Sequence, residues 1–161
     1  MTLSPDLKSW LRAEGFGEDL EAVVAHATTP LMRAALKGDV EMTKAILAAG
    51  GKVSARNGDG NNALWLACVE KNLALLDLLI AAGIDIDNRN DNGATALMFA
   101  ASSGRTEVVE LLLARGADIH AETPDGFSAM DMAANIDCLN LLRAAHKKSP
   151  ARCQPAQRPS C

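Results

Sequence analysis

The chain repeats itself every 33 residues. Thr29-Pro30-Leu31-Met32-Arg33-Ala34-Ala35 returns as Asn62-Ala63-Leu64-Trp65-Leu66-Ala67-Cys68. It returns again as Thr95-Ala96-Leu97-Met98-Phe99-Ala100-Ala101, and as Ser128-Ala129-Met130-Asp131-Met132-Ala133-Ala134. The anchors Leu31, Leu64, Leu97 and Met130 therefore fall at equal intervals. A second block keeps the same spacing: Ala45 to Gly50, Leu78 to Gly83, Leu111 to Gly116. A period of roughly 20–50 residues marks an array whose units cannot bury their apolar faces singly and must stack.

Local chemistry says what each unit is. Thr29, Asn62, Thr95 and Ser128 are N-cap residues ahead of a short helix. The apolar residues that follow recur at helical spacing and form one buried stripe. Gly50, Gly83 and Gly116 stand where a second helix ends and a left-handed residue is wanted. Asp85-Ile86-Asp87 and Asp118-Ile119-His120 alternate like a strand edge. Asn57-Gly58-Asp59-Gly60 and Asn90-Asp91-Asn92-Gly93 supply turn residues. Each unit reads as helix, turn, helix and hairpin, which makes the expected fold an all-α solenoid carrying short β-hairpin loops. Hydrophobic residues make up 48% of the chain and aromatics only 3%, so small side chains allow the helices to pack closely.

The period, the Thr-Pro-Leu opening, the Ala-Ala pair and the Leu-Leu…Gly-Ala-Asp close resemble the ankyrin repeat. The clearest unit runs from Gly93-Ala94-Thr95-Ala96-Leu97 to Gly116-Ala117-Asp118-Ile119, and the likeness covers about residues 24–145. The resemblance implies four repeats over residues 28–145, at about 28–57, 58–90, 91–123 and 124–145. Three departures stand out. Gly51-Lys52-Val53 replaces Ala-Asp-Val, Lys71 stands at the glycine between helices, and the last unit is shortened after Ala133-Ala134-Asn135 in the manner of a C-terminal cap.

Ahead of the repeats, residues 1–27 read as a helical cap. Ser4-Pro5-Asp6 starts one helix, Gly15-Phe16-Gly17 breaks it, and Glu18 to Ala27 is expected to form another. Residues 146–161 read as a basic, disordered tail with three prolines.

Composition narrows the function. All twenty acids precede Lys147, and four of the sixteen bases lie in the last fifteen residues. Residues 1–146 thus hold twelve bases against twenty acids, which argues against nucleic acid as the partner. No basic leader or membrane-length apolar run is seen, and the four cysteines form no CxxC pair, so reduced thiols and a cytoplasmic location are expected. Cys153 and Cys161 with His146 could hold a metal, but two exposed thiols on a tail are the preferred reading. His26, His120 and His146 are isolated in sequence, and no phosphate-binding glycine loop exists. Neither catalysis nor a cofactor is expected.

The resemblance implies a protein partner, held by hairpin tips and the exposed side of each first helix, as an adaptor or inhibitor would hold it. The chain is expected to be a monomer when free. Carried onto this sequence, the binding residues are Arg56, Asp59, Asn61, Trp65, Val69 and Glu70 in the second unit. They are Arg89, Asp91, Asn92, Ala94, Met98, Ser102 and Ser103 in the third, and Glu122, Asp125 and Phe127 in the fourth. Met32, Trp65 and Met98 occupy equivalent positions and are expected to lie side by side, with Trp65 either a binding hot spot or a space-filler beneath a hairpin. The acids of the tips either steer a partner with basic patches or form a solvated edge. The alternatives to a recognition module are a structural subunit of a fixed complex and a thiol- or metal-dependent protein using its cysteines.

Overall fold

The computed structural model describes residues 2–148. Met1 and residues 149–161, and with them the tail and its Cys153 and Cys161, lie outside the described residues. Helix α1 (Pro5–Ala13) precedes four helix pairs: α2 (Pro30–Leu36) with α3 (Val40–Ala48), α4 (Ala63–Glu70) with α5 (Leu73–Ala81), α6 (Ala96–Ser102) with α7 (Thr106–Ala114), and α8 (Ala129–Met132) with α9 (Ile136–Lys148). First helices stack as one layer, α2 on α4 on α6 on α8, and second helices as the other, α3 on α5 on α7 on α9. No helix among the described residues is long and apolar enough to cross a membrane.

The period sets the core. Leu31, Leu64 and Leu97 are buried at the same place in successive first helices, and Ile46, Leu79 and Leu112 in successive second helices. Each such aliphatic side chain is worth about 1.5–3 kcal/mol on burial. The fourth anchor, Met130, is only partly buried, since among the described residues no further helix pair packs on α8. Alanines 34, 35, 67, 100 and 101 are also buried, and their small volume lets neighbouring backbones approach. Thr29, Asn62, Thr95 and Ser128 each accept the N3 backbone N–H of the helix they begin.

At the N-terminus, Ser4 Oγ accepts Leu7 N–H and α1 packs on α3. Leu7, Leu11 and Phe16 are buried there, and Trp10 stacks on Phe16 at 6.4 Å between ring centroids. The helix expected over Glu18–Ala27 does not form. Asp19 accepts Glu21 N–H in a local turn, and Val24 pairs with Thr28 across a single 3-10 turn, Ala25–Ala27. Local side-chain bonding and the β-branched Val23-Val24 pair outcompete the helix. Val24 to Thr28 is in fact the first of the tip turns. Val24 N donates to Thr28 O, as Asn57 N does to Asn61 O, Asn90 N to Ala94 O, and Thr123 N to Phe127 O.

The tips are not the β-hairpins read from the sequence. Among the described residues there are only isolated bridges, Val24 with Thr28 and Glu122 with Ser128, and no strand. The alternating segments spend backbone groups on local turns, as Asp87 N does on Asp85 Oδ1 and His120 N on Asp118 Oδ1, and the tips beyond them bond to one another. Gly58 N donates to His26 O (2.6 Å), and Asp91 N donates to Asp59 O (2.9 Å). The third such bond would come from residue 124, which is proline and has no N–H.

Lys71 does not alter its turn. It adopts φ 56°, close to Gly38 at 69° and Gly104 at 66°, so the side chain is carried in a left-handed conformation that glycine adopts freely. That costs on the order of 1–2 kcal/mol relative to the right-handed region. At the other end, α9 runs to Lys148, so residues 146–148, read from the sequence as tail, are helical.

Candidate functional site

Two surfaces combine into one candidate site: the outer face of the first helices and the row of tips. On α4, Trp65 is partly buried, and its ring lies 4.9 Å from that of Phe99 on α6, tilted by 37°. The Arg105 guanidinium sits over the other part of the patch, 5.5 Å from the Phe99 centroid, close enough for cation–π attraction. Arg105 Nη1 donates to Val69 O (2.8 Å), which ties the start of α7 to the end of α4. Val69 is 37% exposed and Leu36, one repeat earlier, 39%. The partly buried Leu66 and Met132 continue this apolar surface along the helix layer. Glu70, Ser102 and Ser103 are exposed beside it.

Met98 does not belong to this surface. It is 1% exposed, as is Met32, so the expected row of Met32, Trp65 and Met98 is replaced by Trp65 against Phe99. The cause is its position at N3 of α6. Met98 Sδ lies 3.5 Å from Thr95 N and accepts its N–H, folding the flexible side chain back over the cap and into the core. The larger indole of Trp65, at the equivalent place on α4, stays partly accessible. Phe99, Arg105 and Leu36 are the residues the sequence reading missed. The repeat of apolar Leu36 and Val69 at an otherwise polar helix edge was the available signal for Leu36.

At the tips, Asp59, Asp91, Asn92, Glu122, Asp125 and Phe127 are exposed, Phe127 by 51%. Ala94 is partly buried. Asn61 is buried rather than exposed, since its N–H donates to Asn57 Oδ1 and the chain enters α4 directly after it. Arg56 and Arg89 are exposed but committed. Arg56 Nη2 donates to Arg89 O (2.7 Å), and Arg89 Nη1 to Glu122 O (2.9 Å), so each guanidinium clasps the next tip. Arg56 Nε also donates to Gly60 O. The acids crowd one another. Burial raises the Asp87 carboxyl, the charges of Asp118 and Asp85 push the same way, and the Asp118 N–H and the Arg89 charge pull against them.

The remaining chemistry is sparse. Among the described residues no group of three or more His, Cys, Asp or Glu could hold a metal ion. His120 and His146 form an edge-on ring pair at 5.0 Å. A cavity of about 290 Å3 lies between the second and third tips, lined by Val53, Arg56, Asn62, Ile84 and Asp85. Its Asn62 amide is already spent on Asp85 O.

Cys68, one helical turn beyond Trp65, is fully buried, and burial pushes its thiol up to about 12 against a smaller opposing pull from Arg105. It stays protonated and unreactive at neutral pH. The sign for stability follows from the raised value. Above the ordinary thiol value of 9.0 the unfolded chain loses this proton while the folded chain keeps it, until about pH 12. Stability should therefore fall as pH rises through that window, by up to about 1.4 kcal/mol per pH unit from this group. Denaturant melts of the wild type and of Cys68→Ala, taken between neutral and alkaline pH, should show the steeper alkaline decline in the wild type. Parallel declines would remove Cys68 as its source.

A family model described as ankyrin repeats matches the chain in three overlapping copies, over residues 7–90, 31–123 and 69–151. No curated protein matches it.

Proposed function

Because the chain belongs to the ankyrin-repeat family, whose arrays are protein–protein interaction modules, we propose that it holds a protein partner across the Trp65–Phe99 patch and the tips beside it, as an adaptor or inhibitor. The observation that carries the reading is the aromatic pair itself. An indole and a phenyl ring on adjacent first helices, capped by Arg105 and flanked by exposed Val69, present rigid apolar area next to charged tips. Buried apolar anchors ringed by polar groups are how protein interfaces concentrate binding energy. Asp59, Asp91 and Asp125 form the rim, and their charge suits a partner bearing basic patches. Nothing in this reading requires chemistry on the partner, and a cytoplasmic setting fits the reduced thiols the sequence calls for.

The rim is tested through rates. A partner recovered by affinity capture and titrated against an Asp59→Lys/Asp91→Lys double variant should associate roughly tenfold more slowly at low salt, with a flatter salt dependence and a nearly unchanged melting temperature. An association rate and salt slope equal to wild type would remove the tips from the interface.

A further inference from the structure

Asn-Gly pairs occur at two tips, Asn57-Gly58 and Asn92-Gly93. In such a pair the backbone nitrogen of glycine can attack the side-chain amide of the asparagine before it, because glycine offers no Cβ to hinder ring closure. The fold treats the two pairs unequally. Asn57 Oδ1 accepts both Asp59 N–H and Asn61 N–H at 3.0 Å, which pins its amide inside the turn. The nitrogen that would attack it, Gly58 N, donates to His26 O of the preceding tip at 2.6 Å. Ring closure at Asn57 requires both arrangements to open, one of them a link between repeats.

Asn92 is held far less. It is exposed, and its side chain makes no hydrogen bond among the described residues; only its backbone N–H is engaged, on Asn90 Oδ1. Gly93 N donates to Asn90 O within the same turn, so opening one local turn frees the nucleophile. Local openings cost far less than separating packed elements.

We propose that Asn92 is a site of spontaneous deamidation in the folded protein and that Asn57 is shielded from it. Gly93 N bonds to the Asn92 side-chain carbonyl carbon, its proton passes to water, and ammonia leaves with the broken C–N bond, giving a five-membered succinimide. Water then opens the ring at either carbonyl. The products are an aspartate at position 92 or an isoaspartate in which the chain runs through the side chain, and the net change is amide plus water to acid plus ammonia.

The product suits its surroundings in one form and not in the other. Asn92 stands one repeat after Asp59 and one before Asp125, so the aspartyl product makes the three tips alike and extends the acidic row. The isoaspartyl product lengthens the backbone beside Gly93, where even an added Cβ would lie 2.5 Å from Pro124 Cδ. It therefore strains the joint between the third and fourth repeats.

The full-length protein is incubated at mildly alkaline pH, folded in one sample and unfolded in guanidinium in another. Deamidation is then located by peptide mass spectrometry, with isoaspartate assayed enzymatically and Asn92→Asp as the reference for the aspartyl peptide. In the folded sample Asn92 should convert at least about tenfold faster than Asn57, and unfolding should bring the two rates together. Equal rates in the folded sample, faster conversion of Asn57, or conversion of Asn92 only after unfolding would each overturn the proposal.

Discussion

Replacing Leu97 with alanine should cost roughly 2–5 kcal/mol of folding stability, most of the margin of a small domain. Leu97 is 1% exposed on α6, and α6 is flanked by both α4 and α8, so the residue lies in the middle of the stacked first-helix layer. Its neighbours Ala96, Ala100 and Ala101 are buried and too short to swing into the space left behind. Loss of apolar burial and an unfilled cavity then add. Chemical denaturation read by helical circular dichroism measures the change, and a cost below about 1 kcal/mol would contradict the buried register of the third unit.

Trp65→Ala should weaken partner binding by about 2 kcal/mol or more while costing less in stability. The indole is only partly buried, and its contact with Phe99 lies on the outer side of the helix layer, so its removal leaves Leu64 and Ala67 packed behind it. A partner seated on the patch would lose its largest anchor, and Phe99 would lose its ring neighbour while keeping Arg105 over its face. Binding titrations and thermal melts on the same sample separate the outcomes. Unchanged affinity retires the patch as the interface. Equal loss of fold and affinity makes Trp65 part of the core.

How far the sequence could be read depended on what sets each feature. Helix starts were legible because a cap is a local bond: Thr29, Asn62, Thr95 and Ser128 each accept the expected N–H. The buried anchors were legible because a period of 33 leaves stacked units no other face to share. The choice between Met98 and Phe99 was not. Adjacent helix positions differ by about 100° of rotation, and which one reaches the surface depends on the cap below and the unit alongside. Met98 folds onto Thr95 and Phe99 meets Trp65, and neither contact follows from the repeat pattern alone. The roles of Arg56 and Arg89 were hidden for a like reason, since their acceptors lie one repeat away. The expected strands failed because alternation in Asp85-Ile86-Asp87 marks one side chain leaning on the core, not a paired backbone.

Pro124 makes the last joint of the array unlike the two before it. The first three units are fastened along two edges. Backbone bonds join the tips at one edge, and links such as Asn72 Nδ2 to Gly38 O and Arg105 Nη1 to Val69 O join the helix turns at the other. At the last joint the turn edge persists, through Ala134 N to Ala101 O and Asn135 Nδ2 to Gly104 O. At the tip edge the backbone bond is missing, and the arginine clasp, Arg89 to Glu122 O, remains as Arg56 to Arg89 O does at the joint before. The tip carrying Asp125 and Phe127 is thus held to its neighbour by one main-chain hydrogen bond fewer than the tips before it. Of the tips, it is the one a partner would displace at least cost in backbone hydrogen bonding.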